Sequence, residues 1–157
     1  MAKEDVYNAT MISMSMYGGL FKAIADDVGL DKALEYHAKQ GIPFGTMIGE
    51  TMKQQLGDKA PTTEALKSVL QPLMGSFGFD AEYDVSPTEI SNKIPRCPLY
   101  DGWKMAGLDH ETIGKMCSAM SSAEFAQLKK YYPKIEGSVK FRDSSEGYCL
   151  EKFTLKG

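Results

Sequence analysis

Apolar residues recur with helical spacing over the first half of the chain and alternate with polar ones only after it. From residue 5 to residue 27, Ala9, Ile12, Met16, Leu20 and Ile24 keep the period of an α-helix, and Met11, Met14, Tyr17 and Phe21 widen the face. Gly18-Gly19 in its middle weakens the helix, a cost that close packing against a neighbour would explain. Gly29 ends this helix and Asp31 starts the next. A longer stripe follows: Leu30, Leu34, His37, Ala38, Gly41, Phe44, Gly45, Ile48, Met52 and Leu56. It holds phase straight through Pro43, so the proline is expected to kink this helix near its middle, with small residues leaving room beside the backbone. After a connection over residues 57–61, Thr62 or Thr63 caps a third helix carrying Leu66, Val69, Leu70, Leu73, Met74 and Phe77.

The period then changes. Phe79, Ala81, Tyr83 and Val85 alternate with Asp80, Glu82 and Asp84, the signature of a half-buried strand, and Ser86-Pro87 turns the chain into a second run with Ile90, Asn92 and Ile94 on one face. Pro95 closes that run. Pro98 suits the first position of a short helix, which places Cys97 at or next to its N-cap. Gly107 ends the turn and Asp109 opens a helix with Ile113, Met116, Cys117 and Met120 on one face. Ser121-Ser122-Ala123-Glu124 reads as a capping box starting another short helix, closed by Pro133. A hairpin finishes the chain, with strands over 135–142 and 148–156. The sum is one α+β domain over residues 1–157, with N-terminal helices on one face of an antiparallel sheet of about four strands.

Composition changes this picture little. The 157 residues are long enough to bury a core without disulfide staples, and a net charge of −3 with dispersed Lys and Arg argues against nucleic acid or an anionic membrane as partner. No basic-then-apolar leader and no membrane-length apolar run is visible, so a cytoplasmic protein is expected. Three widely spaced cysteines suit reduced thiols better than a disulfide framework. Ten methionines suit core packing first and an adaptable ligand cavity second. The nucleotide-binding, zinc-protease and serine-hydrolase motifs GxGxxG, GxxxxGK[ST], HExxH and GxSxG are absent. No cofactor is expected, and whether the chain forms a homo-oligomer stays open.

Candidate chemistry centres on Cys97. At a helix N-cap beside Arg96, its sulfur would meet unpaired N–H groups and the positive end of the helix dipole, which favour thiolate. Asp101, Gly102 and Trp103 follow on the same helix. Asn92 and Glu151 are polar positions in apolar rows, the latter between Cys149 and Phe153. Either they lie at the sheet margin, or they line one cavity with Cys149 between sheet and helices. Cys117, beside Met116 and Met120, fits a core position. Cys97, Cys117 and Cys149 could meet at a metal only if the fold assembles them, with His110 as a fourth ligand, because none has the close spacing of structural zinc sites. His37, on the apolar stripe, is a hydrogen-bonded core residue or, if a pocket opens there, a general base. His110 is expected to be exposed.

Arg96-Cys97-Pro98-Leu99-Tyr100 with Trp103 and Gly107-Leu108, then Cys117, then Gly147-Tyr148-Cys149-Leu150-Glu151-Lys152-Phe153 follow one another in an order that resembles the L-2-amino-thiazoline-4-carboxylic acid hydrolase-like family. The likeness is sharper from Arg96 onward than in the helical half. It departs in the hairpin, where the family has an acidic residue and an aromatic after the last cysteine and this chain has Leu150 and Glu151, with Phe153 later. The resemblance implies hydrolytic opening of a small cyclic amidine carboxylate to an N-carbamoyl amino acid. Water or the Cys97 thiolate would add to the amidine carbon and the ring C–S bond would break. Cys149, Glu151 and His37 complete the expected catalytic set, with Glu151 or His37 activating water. Asn92 would stabilise the intermediate and Arg96 would hold the carboxylate, with Tyr100 and Trp103 also at the substrate. The Gly147-Tyr148-Cys149 hairpin is also similar to that of 4-vinyl-reductase-type domains, which implies a non-catalytic module binding a small ligand or metal. A third reading is an accessory subunit with structural cysteines.

Overall fold

The computed structural model describes residues 2–157. Helices α1 (Lys3–Val28), α2 (Leu30–Ala38), α3 (Gly41–Leu56) and α4 (Thr63–Ser76) precede strands β1 (Asp80–Val85) and β2 (Glu89–Arg96). Helices α5 (Pro98–Met105) and α6 (His110–Tyr131) separate these from strands β3 (Ile135–Lys140) and β4 (Cys149–Leu155). The strands form one antiparallel sheet in the order β1-β2-β4-β3. Burial alternates along β2 and β4, so one face of the sheet is covered by helices, as the period-two pattern predicts. The fold is α+β. No helix among the described residues is long and apolar enough to cross a membrane.

Three local expectations change. The break in the second apolar stripe falls at Lys39-Gln40 rather than at Pro43, which sits in the first turn of α3. An N–H there has no intrahelical partner to lose, so the proline starts a helix instead of kinking one. The room beside Gly41 and Gly45 is taken by another backbone: a Cβ on Gly41 would lie 2.0 Å from the Met120 carbonyl oxygen, and one on Gly45 2.3 Å from that of Glu124. In turn, α6 runs unbroken through Ser121-Ser122, since no glycine or proline lies between Gly114 and Pro133 to stop it.

The buried face of α1 is also rotated from the expected one. Tyr7, Gly18 and Phe21 are buried, whereas Ile12, Met16 and Leu20 are 55%, 75% and 58% exposed. Close approach to α5 decides this. A Cβ on Gly102 would meet the Met11 carbonyl oxygen at 2.4 Å, and one on Gly18 would meet the Ala106 Cβ at 2.9 Å. The helices cross where both can be bare.

Two apolar clusters share the interior. Ile48, Met52, Leu66, Leu70, Leu128 and Phe153 form one; Phe21, Trp103, Ile113, Met116, Cys97 and Cys149 belong to the other. Each fully buried side chain of this size contributes about 1.5–3 kcal/mol. A space remains along the seam between them.

Candidate functional site

That space is a cavity of about 270 Å³, overwhelmingly apolar, reached by every helix and by β2, β3 and β4. Ile48 and Leu70 come from one cluster, Ile94 and Trp103 from the other, and Met14, Met74 and Met120 fill in between, the use of methionine that suits an adaptable wall. Exposed Gln40 marks the rim, close to Phe44 and Phe77, whose rings meet edge to face at 5.5 Å.

Two carboxyls, Glu124 and Glu151, are among its few polar groups. Asn92 and Glu151 are direct partners in the β2–β4 register and both are buried. The Asn92 Nδ2 donates to the Glu151 Oε2 at 2.8 Å, while the Asn92 Oδ1 has no partner among the described residues. Asn92 lies behind Glu151 and outside the cavity wall, so Glu151 presents the pair. Opposite comes Glu124, on the helical stripe Cys117, Met120, Ser121, Glu124 that lines the cavity from α6. Burial raises both carboxyls above the usual range, and the charge of Glu151 raises Glu124 further. One hydrogen bond from Asn92 opposes the shift at Glu151. Both carboxyls therefore keep their protons to higher pH than surface carboxylates do.

The cysteines behave differently from the expectation. Cys97 is the N-cap of α5, and its Sγ accepts from the Tyr100 N–H at 3.4 Å. Burial nevertheless pushes its thiol up to about 12, outweighing that bond, so Cys97 rests as a thiol and not as an activated thiolate. Burial also holds Cys117 well above its ordinary value. Cys149 accepts from the Arg142 Nε at 3.5 Å. All three cysteines line the cavity, yet among the described residues no three His, Cys, Asp or Glu side chains come together as metal ligands. The ligand set Cys97, Cys117 and Cys149 is therefore not assembled.

His37 reaches the cavity wall, with the rings of Tyr17, Phe21 and Trp103 around it at 5.6, 5.6 and 5.4 Å. Its Nε2 lies 3.1 Å from the Met116 carbonyl oxygen, which can only accept, so that nitrogen carries the proton. The Nδ1 then accepts from the Tyr17 hydroxyl at 2.8 Å. Burial lowers the imidazole to about 4. With both nitrogens engaged, His37 is a neutral wall residue rather than a free base.

Arg96 is not at the site. Its guanidinium is exposed, forks onto the Glu4 carboxylate at 3.1 and 3.2 Å, and lies over the Tyr7 ring. It stands at the exposed end of β2, two residues past the last buried one, Ile94, and pairs there with Asp80 at 3.7 Å. Tyr100 is buried beyond the cavity, its hydroxyl 3.0 Å from the His110 Nδ1 in a separate surface depression, so His110 is half-buried there rather than exposed. Of the expected binding residues, Trp103 alone lines the cavity.

Two charged residues escaped the sequence reading. Glu124 falls in the expected capping box at a helix start, although its spacing from Cys117 and Met120 puts it on their face. Arg142 is 3% exposed and donates to the carbonyls of Ile94 and Pro95 at 3.2 and 3.3 Å, beneath the Tyr100 ring. No local signal marks it, because its partners come from the end of β2. No known protein family matches the chain, and no curated protein does.

Proposed function

We propose that this protein is a binding module for a small, mainly apolar molecule, held in the cavity between the helical layer and the sheet. The observation that carries this reading is the cavity itself: about 270 Å³, walled by apolar side chains of both core clusters, with few polar groups among them. Apolar walls with sparse, converging polar groups are the usual make-up of small-molecule sites.

Hydrolytic opening of a cyclic amidine carboxylate is the second reading, and the carboxyl pair Glu124–Glu151 is what favours it. One protonated and one ionised carboxyl could activate water and protonate a leaving group. In that scheme the chemistry falls to the carboxyls, since Cys97 is held as a thiol and Arg96 stands outside the cavity.

The test is thermal unfolding with a panel of small aromatic and aliphatic compounds, together with a thiol-release assay on 2-amino-thiazoline-4-carboxylate. A concentration-dependent rise in Tm, lost when Met74→Trp fills the cavity, is the expected result. Thiol release abolished by Glu151→Gln would move the assignment to the hydrolase. Neither a Tm shift nor turnover would overturn both readings.

A further inference from the structure

The geometry points to a small apolar amine as the occupant, its protonated nitrogen seated between Glu124 and Glu151 and its hydrocarbon body against the methionine and aromatic walls. This rests on the binding role proposed above and names the ligand class for it.

The argument is one of missing partners. Two carboxyl groups from different elements, α6 and β4, face the same apolar space. Asn92 supplies Glu151 with one hydrogen bond, and among the described residues no hydrogen-bond donor reaches Glu124. None of the ion pairs among the described residues includes either carboxyl. The nearby cations are committed elsewhere. Arg142 spends its N–H groups on the carbonyls of Ile94 and Pro95 and on the Cys149 sulfur. Lys93 and Lys152 alternate onto the outer face of the sheet and pair with Glu82 and Glu89. His37 is neutral, its ring nitrogens engaged.

Buried carboxyls without a counter-charge are costly, and a group that neutralises them recovers the cost. An ammonium has three N–H donors and can bond both carboxyls at once, giving charge-assisted bonds in a space where water does not screen them. A neutral ligand of the same shape leaves the pair as it is, and an anion makes it worse. Size limits the rest: a cavity of about 150 Å³ accommodates benzene, so the present space of about 270 Å³ takes a ring with a short arm.

The experiment is isothermal titration and thermal shift near neutral pH with 2-phenylethylamine, 2-phenylethanol and 3-phenylpropionate. The amine is expected to bind about tenfold or more tighter than the alcohol, with the carboxylate weakest. Glu124→Gln and Glu151→Gln, singly and together, should erase the preference for the amine while leaving the alcohol bound. An alcohol that binds as well as the amine, or a preference that survives both substitutions, overturns the assignment while the cavity reading stands. If none of the three compounds shifts Tm, the binding role fails and this inference with it. The comparison on the unaltered protein decides the matter even where a variant does not fold.

Discussion

The polar residues in the interior set opposite pH dependences. His37 is lowered to about 4, below its ordinary 6.5, so the unfolded chain takes up a proton that the fold refuses as pH falls through that window. Its contribution is complete above about pH 6.5 and declines towards about pH 4, by about 3 kcal/mol in all. Glu151 is raised above its ordinary 4.5, so the folded protein keeps a proton that the unfolded chain releases, and stability falls as pH rises from about 4.5 through the folded value. Glu124, also raised by burial, adds to this fall, so the two carboxyls outweigh His37 and the urea midpoint of the unaltered protein should fall as pH rises over this range. Glu151→Gln, which imitates the protonated acid, should make that fall shallower, and His37→Gln should make it steeper. The thiols give a separate check. With burial holding Cys97 and Cys117 as thiols, both should resist iodoacetamide at neutral pH in the folded protein and react once it is unfolded in urea, read by mass spectrometry. Rapid labelling of native Cys97 would contradict the burial argument.

Among the elements, glycine seams decide which faces meet, and here the sequence was partly legible. Periodicity locates α1, β1, β2 and the closing hairpin and narrows the α4 cap to Thr62 or Thr63, of which Thr62 is the cap, because each is fixed by local pattern and punctuation. The buried face of α1 was not legible, since Gly18 and Gly19 look alike in the chain and only the partner helix distinguishes them. A Cβ on Gly18 meets Ala106 and Trp103, while one on Gly19 meets nothing within 4 Å. Gly102→Ala and Gly41→Ala, each forcing a Cβ against backbone, should lower unfolding stability by about 2 kcal/mol or more in urea titrations. Gly19→Ala should raise it by about 0.5–1 kcal/mol, since that position gains helix propensity without a clash. The site followed the same division. That Asn92 and Glu151 stand in apolar rows, and the place of Cys97, could be read from strand phase and Pro98, while the pairing of Asn92 with Glu151 and the roles of Glu124 and Arg142 appear only when β2 and α6 are brought beside the hairpin.

In the whole molecule, the cavity floor joins two hairpins that are far apart in the chain. The β1–β2 and β3–β4 pairs each close over a short connection, but Asn92 and Glu151 stand 59 residues apart, with α5 and α6 between them. Local hairpins are cheap to close, and the long closure that unites them costs more and is made later. Up to that moment Glu151 and its partner Asn92 belong to separate half-sheets, and the cavity has no joined floor to hold an occupant. A ligand therefore has nothing to grip on the way up the folding barrier and acts only after the halves have joined. In stopped-flow experiments, saturating ligand should slow unfolding severalfold and leave the refolding rate unchanged. An occupant of the cavity would then act as a brake on opening alone, lengthening the life of the folded sheet without hastening its formation.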